Sequence, residues 1–506
     1  MDLIGSALAD VLAPAHLIFL VAGVCGGVVL GAIPGLSATM AIALIIPFTL
    51  TLDPVPALLM MVGAYKGGIY GGSISAILIK APGTSAAAAT AEDGHALALK
   101  GKGMKALKVS LAASVIGDTF SDIVLILSAA QLARVALEFG PVEYTALTVF
   151  ALTIIGSAAG KSLIKGMVSA MAGLSLALVG LDPTTGVPRL AFGVIDLYGG
   201  VSLLALMIGL LTVAELLRQM EERRTVSVAH LPPPKHPDDS RITPADARLM
   251  VRPVVGGSIV GTIVGVIPGL GPTLGAFLGY DTAWRFARRP DRFGKGSIEG
   301  IAGAESGNNA VSGANLIPLL GLGIPGDIEA AILIGAFLIQ GLTPGPLIFQ
   351  EAPEVVYGLY VGLMVANIVL LLAGLLAIRL FTRLAGVRTG LLFPVVFVFS
   401  IVGTYAFQQS LFDVGITFLF GIVGYLMVKA DIPRTTFLIG FILGPLLEDN
   451  FRRALQISSG DYHIFFSSAL GNAFWIAAIL SVIWVSLQRR KRPAKAVSAE
   501  EREVVD

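Results

Sequence analysis

Two tetrapeptides of one kind lie far apart in this chain, Ile33-Pro34-Gly35-Leu36 and Ile267-Pro268-Gly269-Leu270, and both interrupt apolar runs. A proline in such a run cannot donate a backbone hydrogen bond, and its ring crowds the preceding helical turn. The glycine after it admits backbone conformations closed to other residues. Unwound backbone at membrane depth is tolerated only where it faces protein or a water-filled cavity. There, the free N–H groups that open the next half-helix attract an anion, while freed carbonyls can hold a cation. Ser37, Thr39 and Thr273 supply hydroxyls at the same level. The chemistry expected is reversible binding of a small anion and a cation.

A shift of 234 residues lays Gly23, Gly27, Gly31, Ile33, Pro34, Gly35, Leu36 and Thr39 on Gly257, Gly261, Gly265, Ile267, Pro268, Gly269, Leu270 and Thr273. Glycines four apart line one helix face, along which a second helix can approach closely. One such spacing is commonly generic small-residue packing. Two copies in register, each ending in the same break, indicate an internal repeat. Paired broken segments in two repeat halves mark the binding site of a secondary transporter.

Two more stretches are interrupted. Gly63–Leu107 meets Ala81-Pro82-Gly83-Thr84, and Gly303–Leu333 meets Ile324-Pro325-Gly326-Asp327. Both read as embedded segments that turn at Pro-Gly, as re-entrant hairpins do. Glu305, Asn308 and Asn309 form the most polar group of the second stretch. Ionisable residues inside a membrane segment line pathways or pair with one another; alternatively, Glu305 stands at the aqueous end of its helix. Lys66 and Lys80 either snorkel to an interface or help hold a carboxylate. Asp118 and Asp122 lie one turn apart on one helix face, as proton or sodium ligands or with one of them capping a broken helix.

The elements that must position these residues are helical and membrane-embedded. Of 506 residues, 55% are hydrophobic and 14% charged, against about 25% charged in soluble domains. Many apolar stretches approach the roughly 20 residues that span a bilayer. The fold class expected is an all-α polytopic membrane protein of two repeat halves, with about 10–13 crossings plus re-entrant pieces. Residues 1–217 form the first half, 218–253 a charged, proline-rich linker, 254–488 the second half with extra spans, and 489–506 a tail. The arginines of the linker and the basic start of the tail belong in the cytoplasm by the positive-inside rule. The N-terminal flank lacks Lys and Arg, which favours an outside N-terminus and halves that face opposite ways.

Several functions are excluded or disfavoured. A net charge of +1 gives no global sign of nucleic-acid binding, and one cysteine, Cys25, rules out a disulfide framework. Five scattered histidines have no zinc spacing, so no metal is expected beyond a transient Na⁺ site. Residues 1–14 carry no basic region of a cleavable signal peptide. Ile155–Ser162, IGSAAGKS, falls short of the phosphate loop because Ile155 replaces its first glycine. Without an ATPase module the energy source is an ion gradient, Na⁺ or H⁺, and no cofactor is called for. An intramembrane enzyme would need a Ser/His pair, an aspartate-rich metal motif or HExxH, none of which is present; a channel remains an alternative.

The doubled Ile-Pro-Gly-Leu, YGGSISAILIKAPGT with DGHALALKGKGMKAL, and ESGNNAVSGANLIPLLGLGIPG together resemble the large membrane subunit of the tripartite tricarboxylate transporters, over nearly the whole chain to about residue 487. That resemblance implies uptake of a carboxylate across the bacterial inner membrane, driven by an ion gradient. It also implies two partners, a periplasmic solute-binding protein and a small membrane subunit. The positions that match the family are Pro34, Gly35, Ser37, Thr39, Tyr70, Gly71, Gly72, Ser73, Pro82, Gly83 and Thr84. In the second half they are Pro268, Gly269, Thr273, Glu305, Asn308, Asn309, Gly323, Pro325 and Gly326. The chain departs from the pattern at Lys66, near which an aromatic is expected, and at Lys80, where asparagine is expected. Two additional cations suit a more anionic or differently sized substrate, or replace an ion ligand.

Overall fold

A computed structural model of the chain describes residues 2–33, 36–158, 162–222, 232–381 and 392–491. Pro34 and Gly35 lie outside the described residues, as does the tail from 492. Among the described residues the protein is all-α apart from a small antiparallel hairpin in which Gly180 faces Arg189 and Leu181 faces Pro188. The chain divides into two compact units, one of residues 1–138 with 179–429, the other of 139–178 with 430–506.

The first unit opens with α1 (Asp2–Val11), α2 (Pro14–Gly31), α3 (Ala38–Thr49), α4 (Pro54–Ile79), α5 (Ala87–Leu97) and α6 (Gly103–Ala136). In the second unit, α7 (Pro141–Ala158) and α8 (Leu163–Ala177) meet helices from the far end of the chain. The first unit resumes with α9 (Leu203–Met207), α10 (Ala214–Glu222), α11 (Pro244–Val266), α12 (Gly271–Arg285), α13 (Ile298–Ala314) and α14 (Leu316–Leu322). It closes with α15 (Ile328–Ile339), α16 (Ile348–Glu351), α17 (Pro353–Phe381), α18 (Leu392–Gln408) and α19 (Leu411–Lys429). The second unit ends with α20 (Arg434–Ile457) and α21 (Ala469–Lys491).

Glycine stripes determine how the first unit packs. A Cβ on Gly23, Gly27 or Gly31 of α2 would stand 2.0–2.3 Å from the carbonyl oxygens of Met60, Ala64 and Gly68 on α4. In the other half, a Cβ on Gly257, Gly261 or Gly265 of α11 would stand 2.2–2.9 Å from those of Gly303, Gly307 and Val311 on α13. The contacts are the same, but the register is not one constant shift. It is 234 residues for the first helix and its break, and 243 for the second, from Met60 to Gly303. The longer shift holds through the second break, where Lys80, Pro82 and Gly83 answer to Gly323, Pro325 and Gly326.

Helix α4 is buried almost throughout from Pro56 to Leu78, and α13 from Gly300 to Ala314. Surrounded by protein, they carry polar residues that lipid-facing helices cannot. Among the described residues, seven helical stretches are long and apolar enough to cross a membrane, accompanied by five shorter apolar helices. Two of the five shorter helices, α3 and α15, follow the breaks. Helices α3 and α15 have 12 residues each, or about 18 Å, too short for a hydrocarbon core of about 30 Å.

The polar segment read as a linker becomes helical at Pro244. Thr243 and Asp246 cap each other reciprocally there, with proline in the first turn. The same segment is fastened to the start of α6 by Lys105 on Asp246 at 2.8 Å and Lys102 on Asp239 at 3.2 Å. In the second unit a glycine face recurs, and a Cβ on Gly173 of α8 would reach within 1.9 Å of Phe437 O on α20.

Candidate functional site

Polar clusters in the first unit join the two repeats; those around Lys66 and Glu305 are buried, and the one at the breaks reaches the exposed Ser85. The first surrounds Lys66 of α4. Its Nζ stands 2.8 Å from Asp122 Oδ2 and 3.3 Å from Asp118 Oδ1 on α6, and 2.9 Å from Asn367 Oδ1 on α17. All three charged side chains are fully buried. Asn367 also donates to Asp122 at 2.7 Å, and the Ser312 hydroxyl donates to Asp118. Lys66 therefore holds protein carboxylates and does not snorkel, and neither aspartate caps a helix. Residues 122–127, DIVLIL, and 367–372, NIVLLL, are related by a shift of 245, so two equivalent positions of the repeat touch one another here.

The second cluster centres on Glu305 of α13, which is fully buried and not at an aqueous helix end. Its Oε1 accepts from Ser73 at 2.6 Å and from Thr90, and its Oε2 accepts from Ser114 at 2.9 Å. Asn309 donates to Ser114 at 2.8 Å and to the Glu305 carbonyl at 3.0 Å. Hydroxyl and amide donors on four helices thus solvate the carboxylate. Asn308 beside it is buried with neither amide atom partnered, and the Tyr70 hydroxyl is likewise bare.

The third cluster lies at the breaks themselves. Ser37 caps α3 by accepting from Met40 N at 3.3 Å. Two residues on, Thr39 donates to Glu329 Oε1 at 2.6 Å, just past the break of the other repeat. The reciprocal contact pairs Thr273, past the Pro268-Gly269 break, with Ser85, past Pro82-Gly83, at 2.7 Å between hydroxyls. Each first break thereby leads into a helix whose threonine meets the second break of the opposite repeat. Gly269 (φ 85°) and Gly271 (φ 66°) adopt left-handed backbone there, open to glycine at little cost, and Gly269 N donates to Gly326 O at 2.7 Å.

The second breaks follow one design. Helix α4 ends at Lys80 (φ 55°) and α14 at Gly323 (φ 72°), both left-handed caps. Lys80 is exposed. A Cβ on Gly83 would come within 2.2 Å of Gly31 O and 3.0 Å of Gly72 Cα. On Gly326 it would come within 3.0 Å of Gly265 O and 2.7 Å of Asn315 Cβ. Pro82 and Pro325 precede these glycines in the same register. Thr84 accepts from Ala87 N, the first amide of α5, at 3.2 Å, and Asp327 caps α15 by accepting from Ala330 N at 2.8 Å. Asp327 Oδ2 also receives the Asn315 amide at 2.6 Å and the Tyr65 hydroxyl at 3.3 Å.

Sequence reading singled out Thr39, Thr273, Ser73, Glu305 and Asn309 but not their partners Glu329, Ser85, Thr90 and Ser114, nor Asn367, Tyr65 and Asn315. Asp327 and Glu329 carried a usable signal, an N-cap aspartate with an acid in the first turn directly after Pro-Gly. The others lie on or beside helices whose pairing one sequence does not display.

Comparison with known proteins bears on this arrangement. The family model described as "Tripartite tricarboxylate transporter TctA family" matches residues 17–439. An uncharacterized 52.8 kDa protein in the TAR-I ttuC' 3' region of Agrobacterium vitis is 35% identical over 492 residues, 97% of each chain. An uncharacterized protein in the TAR-II ttuC' 3' region of the same organism is 35% identical over 204 residues, covering 40% of this chain and 84% of its own. No solved structure matches the chain.

Proposed function

Since the chain belongs to the tripartite tricarboxylate transporter TctA family, as its large membrane subunit, we propose that it imports a di- or tricarboxylate by symport with a cation. It does so in the bacterial inner membrane, taking substrate from a periplasmic solute-binding protein and working beside a small membrane subunit. The observation that carries this reading is the reciprocal crossing of the repeats at Thr39–Glu329 and Ser85–Thr273.

The two crossings suit cargo of opposite sign. Ser85 and Thr273 bring neutral hydroxyls to the beginnings of α5 and α12, where the positive ends of the helix dipoles favour an anion. Thr39 meets Glu329, and a second acid, Asp327, lies two residues before that glutamate in the chain. The crossings are neighbours, because a Cβ on Gly271 would stand 3.8 Å from Asp327 Cβ. A carboxylate at one and a cation at the other would attract each other, so each would favour binding of its partner. Paired halves that can move against one another then allow alternating access.

Uptake of labelled carboxylate into vesicles holding both membrane subunits, with the binding protein outside, tests this. Sodium and proton gradients are imposed separately. Saturable uptake that depends on one gradient is expected; unsaturable flux indifferent to both would make the protein a channel and end the proposal.

A further inference from the structure

The acidic clusters of Glu305, of Asp118 with Asp122 and of Asp327 with Glu329 differ in what answers their charge. Glu305 has hydroxyl donors on both oxygens, and Asp118 with Asp122 has the ammonium of Lys66. Asp327 and Glu329 have only neutral donors, from Thr39, Tyr65, Asn315 and the Ala330 backbone. Among the described residues no Lys, Arg or His pairs with either of them. Both are more than nine-tenths buried, and two carboxylates taken out of water without a positive partner are very costly.

Bare oxygens mark where that partner would sit. Asn315 is fully buried, and its Oδ1 has no donor although its Nδ2 lies 2.6 Å from Asp327 Oδ2. Glu329 Oε2 is buried and unpartnered too, while Oε1 is fixed by Thr39. A proton would neutralise one carboxylate but leave the amide oxygen unsatisfied. A hard cation, which takes oxygen ligands of carboxylate and carbonyl type, would satisfy all of them.

We propose that Glu329, Asp327 and Asn315 form a Na⁺ site, with Thr39 orienting the glutamate, and that this ion is the coupling ion of the symport. The inference rests on the symport reading for its role but not for its existence. Repeat one has Thr84 and Ala86 where repeat two has Asp327 and Glu329, so the site occurs once per chain.

The test is direct ²²Na⁺ binding to the purified full chain in detergent, with choline replacing sodium at constant ionic strength and no carboxylate present. Saturable binding near one ion per chain is expected in the unsubstituted protein. Glu329→Gln and Asn315→Ala should each weaken it at least tenfold, with elution volume and helical circular dichroism unchanged. Glu329→Asp keeps the charge, provides the comparison should either variant misfold, and should bind more weakly than wild type but measurably. No saturable binding by wild type, or binding by Glu329→Gln and Glu329→Asp equal to wild type, overturns the site. Because carboxylate and partners are absent, failure here leaves carboxylate uptake untouched, and failure of uptake leaves Na⁺ binding standing.

Discussion

Thr39 and Glu329 are separated by 290 residues in sequence, and the threonine hydroxyl donates to the glutamate carboxylate at 2.6 Å. Each residue follows a Pro-Gly interruption, one in either repeat. With Ser85 and Thr273 making the reciprocal contact at 2.7 Å, the repeats are crossed beside their irregular segments. Those segments are where a membrane protein has main-chain groups free for ligands.

Thr39→Val removes the single donor to Glu329 Oε1 and little else. A hydrogen bond to a charged group contributes about 1.5–3 kcal/mol, so cation-dependent carboxylate uptake should fall by roughly tenfold or more. Thr39→Ser, which keeps the hydroxyl, should recover much of it. Initial-rate uptake at varied sodium concentration measures both.

Replacing Pro268 and Gly269 by alanines closes the second-repeat break, where Gly269 holds φ 85° and donates to Gly326 O. An alanine in left-handed backbone is strained, and a continued helix withdraws the free N–H groups. Uptake should be lost while membrane insertion, read by fractionation and immunoblotting, is retained.

Neighbouring glycines of α2 should respond oppositely to alanine. At Gly27 the added Cβ would stand 2.3 Å from Ala64 O, a backbone atom that cannot step aside; at Gly26 it would meet only the Ile45 side chain at 3.8 Å. Gly27→Ala should destabilise by about 1–3 kcal/mol or more, and Gly26→Ala should be neutral or slightly stabilising. Thermal denaturation in detergent separates them.

Lys66→Met leaves Asp118 and Asp122 buried without their ammonium. Removing one partner of a buried pair costs about 3–5 kcal/mol. Adding Asp122→Asn to Lys66→Met should restore part of the loss, because one uncompensated charge goes with it. The same melting assay reads the double-mutant cycle.

What one sequence displayed was the repeat at its first break. Gly23, Gly27 and Gly31 recur at a constant shift, and the conspicuous Pro-Gly fixes their phase. At the second break the correspondence was blurred. Nine additional residues separate α12 from α13, so Lys80 and Pro82 align with Gly323 and Pro325 only after the shift grows from 234 to 243. Glu305 stood out as an acid in small-residue surroundings. Its solvation by Ser73, Thr90 and Ser114 did not, because hydroxyls 191–232 residues away carry no local signature. The meeting of Asp122 with Asn367 was hidden for the same reason. Nor did hydropathy show that residues 139–178 cluster with the chain after 429, since an apolar helix of ordinary composition does not name its neighbour.

The account stands on the breaks of the two repeats meeting across the molecule. In a Cys25→Ser background, the sole native cysteine removed, the paired substitutions Ser85→Cys and Thr273→Cys place two thiols where hydroxyls stand 2.7 Å apart. Mild oxidation should join them within one chain, seen as a single cross-linked peptide pair by mass spectrometry. Carboxylate uptake should stop and should return on reduction. An unjoined pair with uptake unchanged by oxidant would contradict the crossing and the transport site built on it.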